Sequence, residues 1–366
     1  MPLADDGGTM TAAVLADAPL GLFRDLDRPG RVLEHLTPNW FASIMGTGIV
    51  ANAAATLPLH SPILHSFATV VWGVAATALV ALTIAFTAHW ILHVDNARGY
   101  VAHPVIGLFY GAIPMALLTV GSGTILLGKD LLGITAALWI AGTLWTIGTL
   151  AGIATVLWIP VRVWGHRLPA LLMPVVPPMV SATGGAILAQ HIPSGTVRTE
   201  FLALCYVLFA LSLILGARIM VTVCGELVHR RTPPVQAIPT IWITLGLVGQ
   251  SVTAANLLAA DAGSDWLHDI GIAYGICAGV FGIVMFAVAT CLTVTAARSG
   301  LRFSMTWWSF TFPVGTCVTG ATALGVTFGA LNIVAIGLYA LLVAAWAIVA
   351  WGTVRGTVSG RIFLPA

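Results

Sequence analysis

Charged side chains are scarce in this chain, and their scarcity decides the class of protein. Only 8% of the 366 residues are charged, against about 25% in a typical soluble domain. Hydrophobic residues make up 58% of the chain, and its mean hydropathy is +0.98. The net charge of +2 rests on so few groups that nucleic acid is not expected as a partner. The composition therefore predicts a polytopic membrane protein.

Several kinds of chemistry lack the residues that they need. No Asp, Glu, Lys or Arg lies deep in an apolar segment, so neither a proton relay nor a buried catalytic pair is predicted. The five cysteines have no paired spacing and are interpreted as small buried hydrophobes. His89, His93 and His103 gather around one loop without a cysteine or carboxylate cluster beside them. We therefore predict that the protein is not an enzyme and has no metal site and no cofactor.

The apolar residues fall into ten segments that approach or exceed the roughly 20 residues of a membrane helix. These segments are 39–57, 67–93, 104–127, 131–157, 170–191, 200–224, 239–260, 266–296, 307–329 and 331–355. The prediction is an all-α polytopic membrane protein with a transmembrane domain over 37–356. Residues 1–36 lack the apolar core of a signal peptide, so they and residues 357–366 are expected to be cytoplasmic tails.

The basic residues predict the orientation of these segments in the cell (plasma) membrane. With ten spans, thirteen arginines fall on the side of the two termini, whereas only Lys129 and Arg198 fall on the opposite side. Because short cytoplasmic loops are enriched in Lys and Arg, both termini are predicted to be cytoplasmic.

The odd-numbered and even-numbered segments differ in character. Prolines or glycines among polar residues interrupt the odd-numbered segments, while the even-numbered segments have no internal proline. This alternation predicts five helical hairpins, each with a bent inner helix and a straighter outer helix, since broken helices tend to line transport paths. Chance is the alternative, because Gly and Pro are frequent in membrane helices.

The segment from Trp307 to Gly325 has the clearest pattern. Ser309, Phe312, Thr316 and Thr319 recur at spacings of 3, 4 and 3, so they share one helix face, and Pro313 is expected to bend the helix beside Phe312. Other odd-numbered segments add further candidates for a lined path: Ser43, Thr47, Thr119, Ser181, Gln250 and Ser251. The predicted bends are at Gly46, Pro114, Pro177, Gly249 and Pro313. Alternatively, these hydroxyls bond to their own backbone or hold helices together.

A path without acidic side chains does not repel anions. Hydroxyl groups and backbone dipoles at helix bends solvate an anion weakly, which favours passage over tight capture. Cation paths, by contrast, are normally marked by rings of acidic residues.

Five stretches carry a resemblance to a known family. They are NWFASIMGTGIV (39–50), HPVIGLFYGAIPMALLT (103–119), LLMPVVPPMVSATGGAILA (171–189), LGLVGQS (245–251) and WWSFTFPVGT (307–316). Together they resemble the tellurite-resistance/dicarboxylate transporter family, which includes malate permeases, sulfite efflux pumps, tellurite-resistance proteins and slow-type plant anion channels. The stretch LGLVGQS departs from the family pattern because it has no proline.

The resemblance implies five hairpins around a central pore, with the odd-numbered helices inside, and a homotrimer with one pore in each protomer. It also implies that Phe312 occludes the pore. The leading expectation is membrane transport of C4-dicarboxylates such as malate or succinate. The alternatives are a sulfite, chloride or nitrate pathway of the same fold, including a tellurite-resistance-type protein, and a structural or sensory membrane protein with a plugged core. The expected partners are the lipid bilayer and a small anion.

Overall fold

The computed structural model describes residues 25–26, 31–59, 61–162 and 167–364, without the side chains of 159–162. Throughout these residues the chain is helical and contains no β-strand. Most of the predicted N-terminal tail, including Arg24 and Arg28, lies outside the described residues, as does the side chain of Arg162.

Each predicted segment overlaps one main α-helix. In chain order these are α1 (Phe41–Thr56), α2 (Pro62–Leu92), α3 (Ala112–Gly123), α4 (Ile134–Arg162), α5 (Pro177–Ala189), α6 (Thr196–Val228), α7 (Ile243–Ala262), α8 (Asp265–Arg298), α9 (Phe312–Gly325) and α10 (Ala330–Ser359). Short helices Arg31–Glu34, Val94–Ala102 and Lys129–Leu132 lie between or before them, and Arg361–Phe363 forms a final 3₁₀ turn.

Among the described residues, seven helical stretches are long and apolar enough to cross a membrane. They are Pro62–Leu92, Ile106–Leu132, Ile134–Trp158, Thr196–Val228, Val235–Ala262, Asp265–Arg298 and Ala330–Ser359. The all-helical class is thus confirmed for the described residues and fits a polytopic membrane protein. The crossing of the membrane by all ten helices stays a prediction, because α1, α5 and α9 are too short to qualify by length alone.

The helices form two layers. The five odd-numbered helices pack in a ring, in which α1 contacts α3, α3 contacts α5, α5 contacts α7, α7 contacts α9, and α9 returns to α1. Each even-numbered helix packs outside this ring against the helix that precedes it. In the apolar stretch of α7, 89% of the residues are buried, against 17% in α10. The core of the molecule is therefore the inner ring, and the outer helices present apolar side chains to their surroundings.

Each inner helix is preceded by a stretch of 3₁₀ helix, and this explains its shortness. The stretches are Pro38–Trp40, Ile106–Gly111, Pro169–Leu172, Val235–Trp242 and Met305–Phe310. The prolines lie in these stretches or in the first turn of the helix that follows: Pro177 is the first residue of α5, and Pro313 is the second of α9. A proline fits there because its missing N–H would have no helical partner in any case. Pro177 and Pro313 therefore lie in the first turns of α-helices, whereas Pro114 lies within the continuous helical stretch Ile106–Leu132, just after its change from 3₁₀ to α-helix. A bend at these prolines stays a prediction.

The two glycines predicted as bends are points of close helix contact. A Cβ atom at Gly249 would lie 2.5 Å from the backbone N of Cys317 in α9, so only glycine allows α7 and α9 to approach so closely. A Cβ at Gly46 in α1 would overlap the side chains of Thr311 and Trp308. Both glycines therefore tighten the inner ring.

Candidate functional site

Two cavities lie within the inner ring, one towards each end. The larger has a volume of about 270 Å³ and is enclosed by the C-terminal parts of all five inner helices. The smaller, of about 10 Å³, lies at their N-terminal ends. Phe312 lines both cavities. The arrangement is a chain of internal spaces along the ring, divided by one aromatic ring.

Phe312 is the first residue of α9, and its side chain is only 2% exposed. The residue that follows, Pro313, packs against Gly246 of α7, where an added Cβ would lie 3.5 Å from the proline ring. Contact with α7 on this side and the fixed φ of proline hold the start of α9 in place. The phenyl ring is thereby placed at the boundary of the two cavities.

The wall of the larger cavity is mostly apolar surface with polar groups set into it, and it is neutral. The predicted residues Thr119, Gln250 and Thr319 all line it. The side-chain amide of Gln250 donates to the Thr183 hydroxyl at 2.7 Å, and the hydroxyls of Thr253 and Thr319 lie 2.8 Å apart. No charged side chain is present among the described residues that line this cavity. The wall therefore offers hydroxyl and amide dipoles without a fixed charge.

Several polar wall residues are absent from the predicted set. They are Asn52, Thr56, Ser122, Thr183, Thr253 and Thr322. Asn52 is 7% exposed and donates to the backbone O of Thr119 at 3.0 Å, while its Oδ1 has no hydrogen-bond partner. It belongs to a wall-facing series with Ile49 and Thr56 at spacings of 3 and 4. The sequence signal that could have identified Asn52 is a single amide side chain on that face of an apolar helix.

Six of the predicted path residues do not line the larger cavity. Ser309 lines the smaller cavity. The other five lie in neither wall: Ser43, Thr47, Ser181, Ser251 and Thr316. Thr47 and Ser251 face outer helices, because Thr47 accepts from Trp346 Nε1 at 3.1 Å and Ser251 accepts from Tyr274 Oη at 2.7 Å.

The remaining three residues make similar local bonds. Ser181 accepts from the hydroxyl of Thr149 in α4 at 2.9 Å. The hydroxyls of Ser43 and Thr316 each donate at 2.7 Å to the carbonyl oxygen three residues earlier. These contacts match the alternative roles given to such hydroxyls in membrane helices. That these residues line an anion path stays a prediction.

The smaller cavity is apolar and tight. Its wall contains Phe312, Pro313, Val176, Ile243 and three methionines, with Ser309 as the single hydroxyl-bearing side chain. A cavity needs roughly 10–15 Å³ to hold one water molecule, so this space accommodates about one at most. In the direction of the helix N-termini, the interior is therefore narrow and apolar.

Comparison with known proteins identifies related sequences over most of the chain. The family described as voltage-dependent anion channel (SLAC1) matches residues 35–354. The sulfite efflux pump SSU1 of Arthroderma otae is 27% identical over 323 residues, which cover 82% of this chain and 84% of that protein. Its counterpart in Arthroderma benhamiae is 26% identical over 322 residues, covering 81% and 84%. An uncharacterized transporter of Methanocaldococcus jannaschii is 24% identical over 292 residues, covering 79% and 84%.

Proposed function

Because the chain belongs to the voltage-dependent anion channel family, we propose that it carries small anions across a membrane through the ring of inner helices. The family resemblance found in the odd-numbered segments is thereby confirmed, and the family is one of transporters and channels, not of enzymes. The observation that carries the proposal is the position of Phe312 between a neutral cavity with polar groups in its wall and a narrow apolar one. An anion gains weak solvation in the first and meets its barrier at the second.

The short inner helices are long enough to cross the bilayer when their 3₁₀ stretches are included. The 14 residues of α9 span about 21 Å. The six residues of Met305–Phe310 add about 12 Å when the two are coaxial. The sum of about 33 Å matches the hydrocarbon core of about 30 Å. We therefore propose ten crossings as five hairpins, in a homotrimer of the cell membrane.

The proposed orientation has both termini in the cytoplasm, so the larger cavity faces outward. It can be tested with single cysteines in a protein whose native cysteines have been replaced. A cysteine beside Asp265 should react with an impermeant reagent added outside, whereas one beside Arg231 should react only after the membrane is opened. Reaction of both from the same side would contradict the ten-crossing arrangement.

Sulfite is the substrate that we favour. The curated fungal relatives are named as sulfite efflux pumps, and the neutral wall lacks an arginine fork of the kind that clamps carboxylates in pairs. Moving one charge through 100 mV is worth about 2.3 kcal/mol, and a dianion feels about twice that. In an inside-negative cell a passive path of this kind exports anions. C4-dicarboxylates, the leading expectation from the sequence, become the second candidate.

The test is flux through purified protein in liposomes, driven by an imposed potential. Sulfite, chloride, nitrate and malate are each supplied alone and then in competition. We expect sulfite to move fastest and malate slowest. Faster flux of malate than of sulfite would shift the assignment to dicarboxylates. Absence of flux for every anion, with Phe312 truncated as well, would leave a structural or sensory membrane protein.

A further inference from the structure

Three methionines line the smaller cavity, which lies towards the N-terminal ends of the inner helices. Met45 lies in α1, Met115 in α3, and Met173 just before α5. Their exposed fractions are 2%, 1% and 3%. We call these three residues the methionine collar. They come from three neighbouring elements of the ring, and residues of α7 and α9 complete the wall of the cavity.

We infer that the methionine collar is a second closure of the anion path, in series with Phe312, an inference that rests on the proposed function. Phe312 separates the two cavities, but removing its ring only joins them. The joined space would still meet the collar, because Met45 and Met115 lie one helical turn before Ile49 and Thr119 of the larger cavity, towards the helix N-termini. The collar and Phe312 thus close one continuous dry stretch, which an anion must cross without its hydration shell.

The packing of the ring indicates how such a closure can open. Between α7 and α9 the contact is made by glycines: a Cβ at Gly249 would meet the backbone of Cys317 at 2.5 Å, and one at Gly320 would meet the carbonyl oxygen of Gly249 at 3.0 Å. Backbone contacts of this closeness leave little room for α9 to slide. Opening is therefore expected from rotation of side chains rather than from movement of the helix.

Methionine suits such a closure. Its unbranched side chain has three rotatable bonds and a polarizable thioether, so it fills an irregular gap and also withdraws from it easily. Val176 and Ile243, the branched residues in the same wall, are stiff at χ1 and cannot move aside in this way. The three flexible residues are those whose rotation would widen the dry stretch. Ordinary core packing is the competing role, and the variants below separate the two.

The first test measures flux per folded protein in the Phe312→Ala background. Met115→Ala in this background should raise the flux at least about tenfold further, which corresponds to a barrier lowered by about 1.4 kcal/mol. Met115→Leu, which keeps the bulk, should not. Met179 is the matched control, because it is fully buried in α5 but lines neither cavity. Met179→Ala should leave flux per folded protein unchanged.

The second test does not depend on transport. Ser309→Cys, in a protein without native cysteines and with Phe312 intact, places a thiol in the smaller cavity. An anionic methanethiosulfonate should modify it slowly, and at least tenfold faster when Met45 or Met173 is alanine. An unchanged rate in both variants overturns the collar even if anions are transported. A faster rate without any anion flux would keep the collar as a closure and refute the proposed function instead.

Discussion

Replacing Phe312 by alanine should raise anion flux per folded protein by about tenfold to a hundredfold. The phenyl ring is 2% exposed and forms the boundary between the cavity of about 10 Å³ and the cavity of about 270 Å³. Its removal lets water from the larger space reach the dry stretch. One recovered hydrogen bond to a charged group is worth about 1.5–3 kcal/mol, and about 1.4 kcal/mol changes a rate tenfold.

The same substitution should cost less stability than an ordinary core truncation. Loss of a tightly packed phenylalanine destabilises a protein by about 3–5 kcal/mol. Phe312 borders the larger cavity, so part of its ring has no packing partner to lose. Phe109 is the matched control, because it is 1% exposed and lines neither cavity. Phe109→Ala should lower the folded yield without raising the flux of the protein that does fold.

The assay is flux into liposomes, normalised to correctly assembled protein, for wild type, Phe312→Leu and Phe312→Ala. We expect a graded rise, because leucine fills less of the boundary than phenylalanine and more than alanine. If the normalised flux of Phe312→Ala equals or falls below that of wild type, Phe312 does not close the path. The assignment of a gate to α9 would then have to be abandoned.

Two other predictions concern α7. In a thermal-stability assay, Gly249→Ala should be strongly destabilised, because the new Cβ would lie 2.5 Å from the backbone of α9. Gly279→Ala should keep the wild-type stability in the same assay, since no atom lies within 4 Å of the added Cβ. Equal stability of the two variants would refute the close helix contact. Gln250→Leu should change the relative flux of two competing anions, because Gln250 lines the larger cavity. Ser251→Ala should leave the relative flux unchanged, because Ser251 faces Tyr274 in an outer helix. The reverse result would contradict the cavity assignment.

The sequence was most informative where a property is carried by a whole segment. Hydropathy located the outer helices to within five residues at each end, because a long apolar run has a strong and simple signal. It placed the starts of the inner α-helices up to eight residues early, because the 3₁₀ stretches before them belong to the same apolar runs. The alternation of interrupted and uninterrupted segments matched the division into inner and outer layers. A further regularity was available: Pro38, Pro104, Pro169 and Pro234 follow one another at intervals of 66, 65 and 65 residues, each at or just before the 3₁₀ stretch of an inner helix.

Individual side chains were harder to place, because a hydroxyl on an inner helix has two possible destinations. Thr319 faces the larger cavity, whereas Ser251 faces an outer helix, and what distinguishes them is the partner that each side chain meets. The Ser251 hydroxyl accepts a hydrogen bond from Tyr274, a residue of the next helix that the periodicity of α7 alone does not identify. Asn52 was missed because it lies on a different face of α1 from the predicted Ser43 and Thr47, and it shares that face with Thr56 at the end of the helix.

The central claim is that anions pass through the cavity enclosed by the inner ring, and blocking that cavity tests it most directly. Thr253→Cys places a thiol in the cavity wall, and Thr199→Cys places one on the exposed surface near the start of α6. Both are made in an otherwise active protein without native cysteines and modified to completion with a bulky thiol reagent. We predict that anion flux stops in the Thr253→Cys protein and continues in the Thr199→Cys protein. Undiminished flux through fully modified Thr253→Cys would contradict the account.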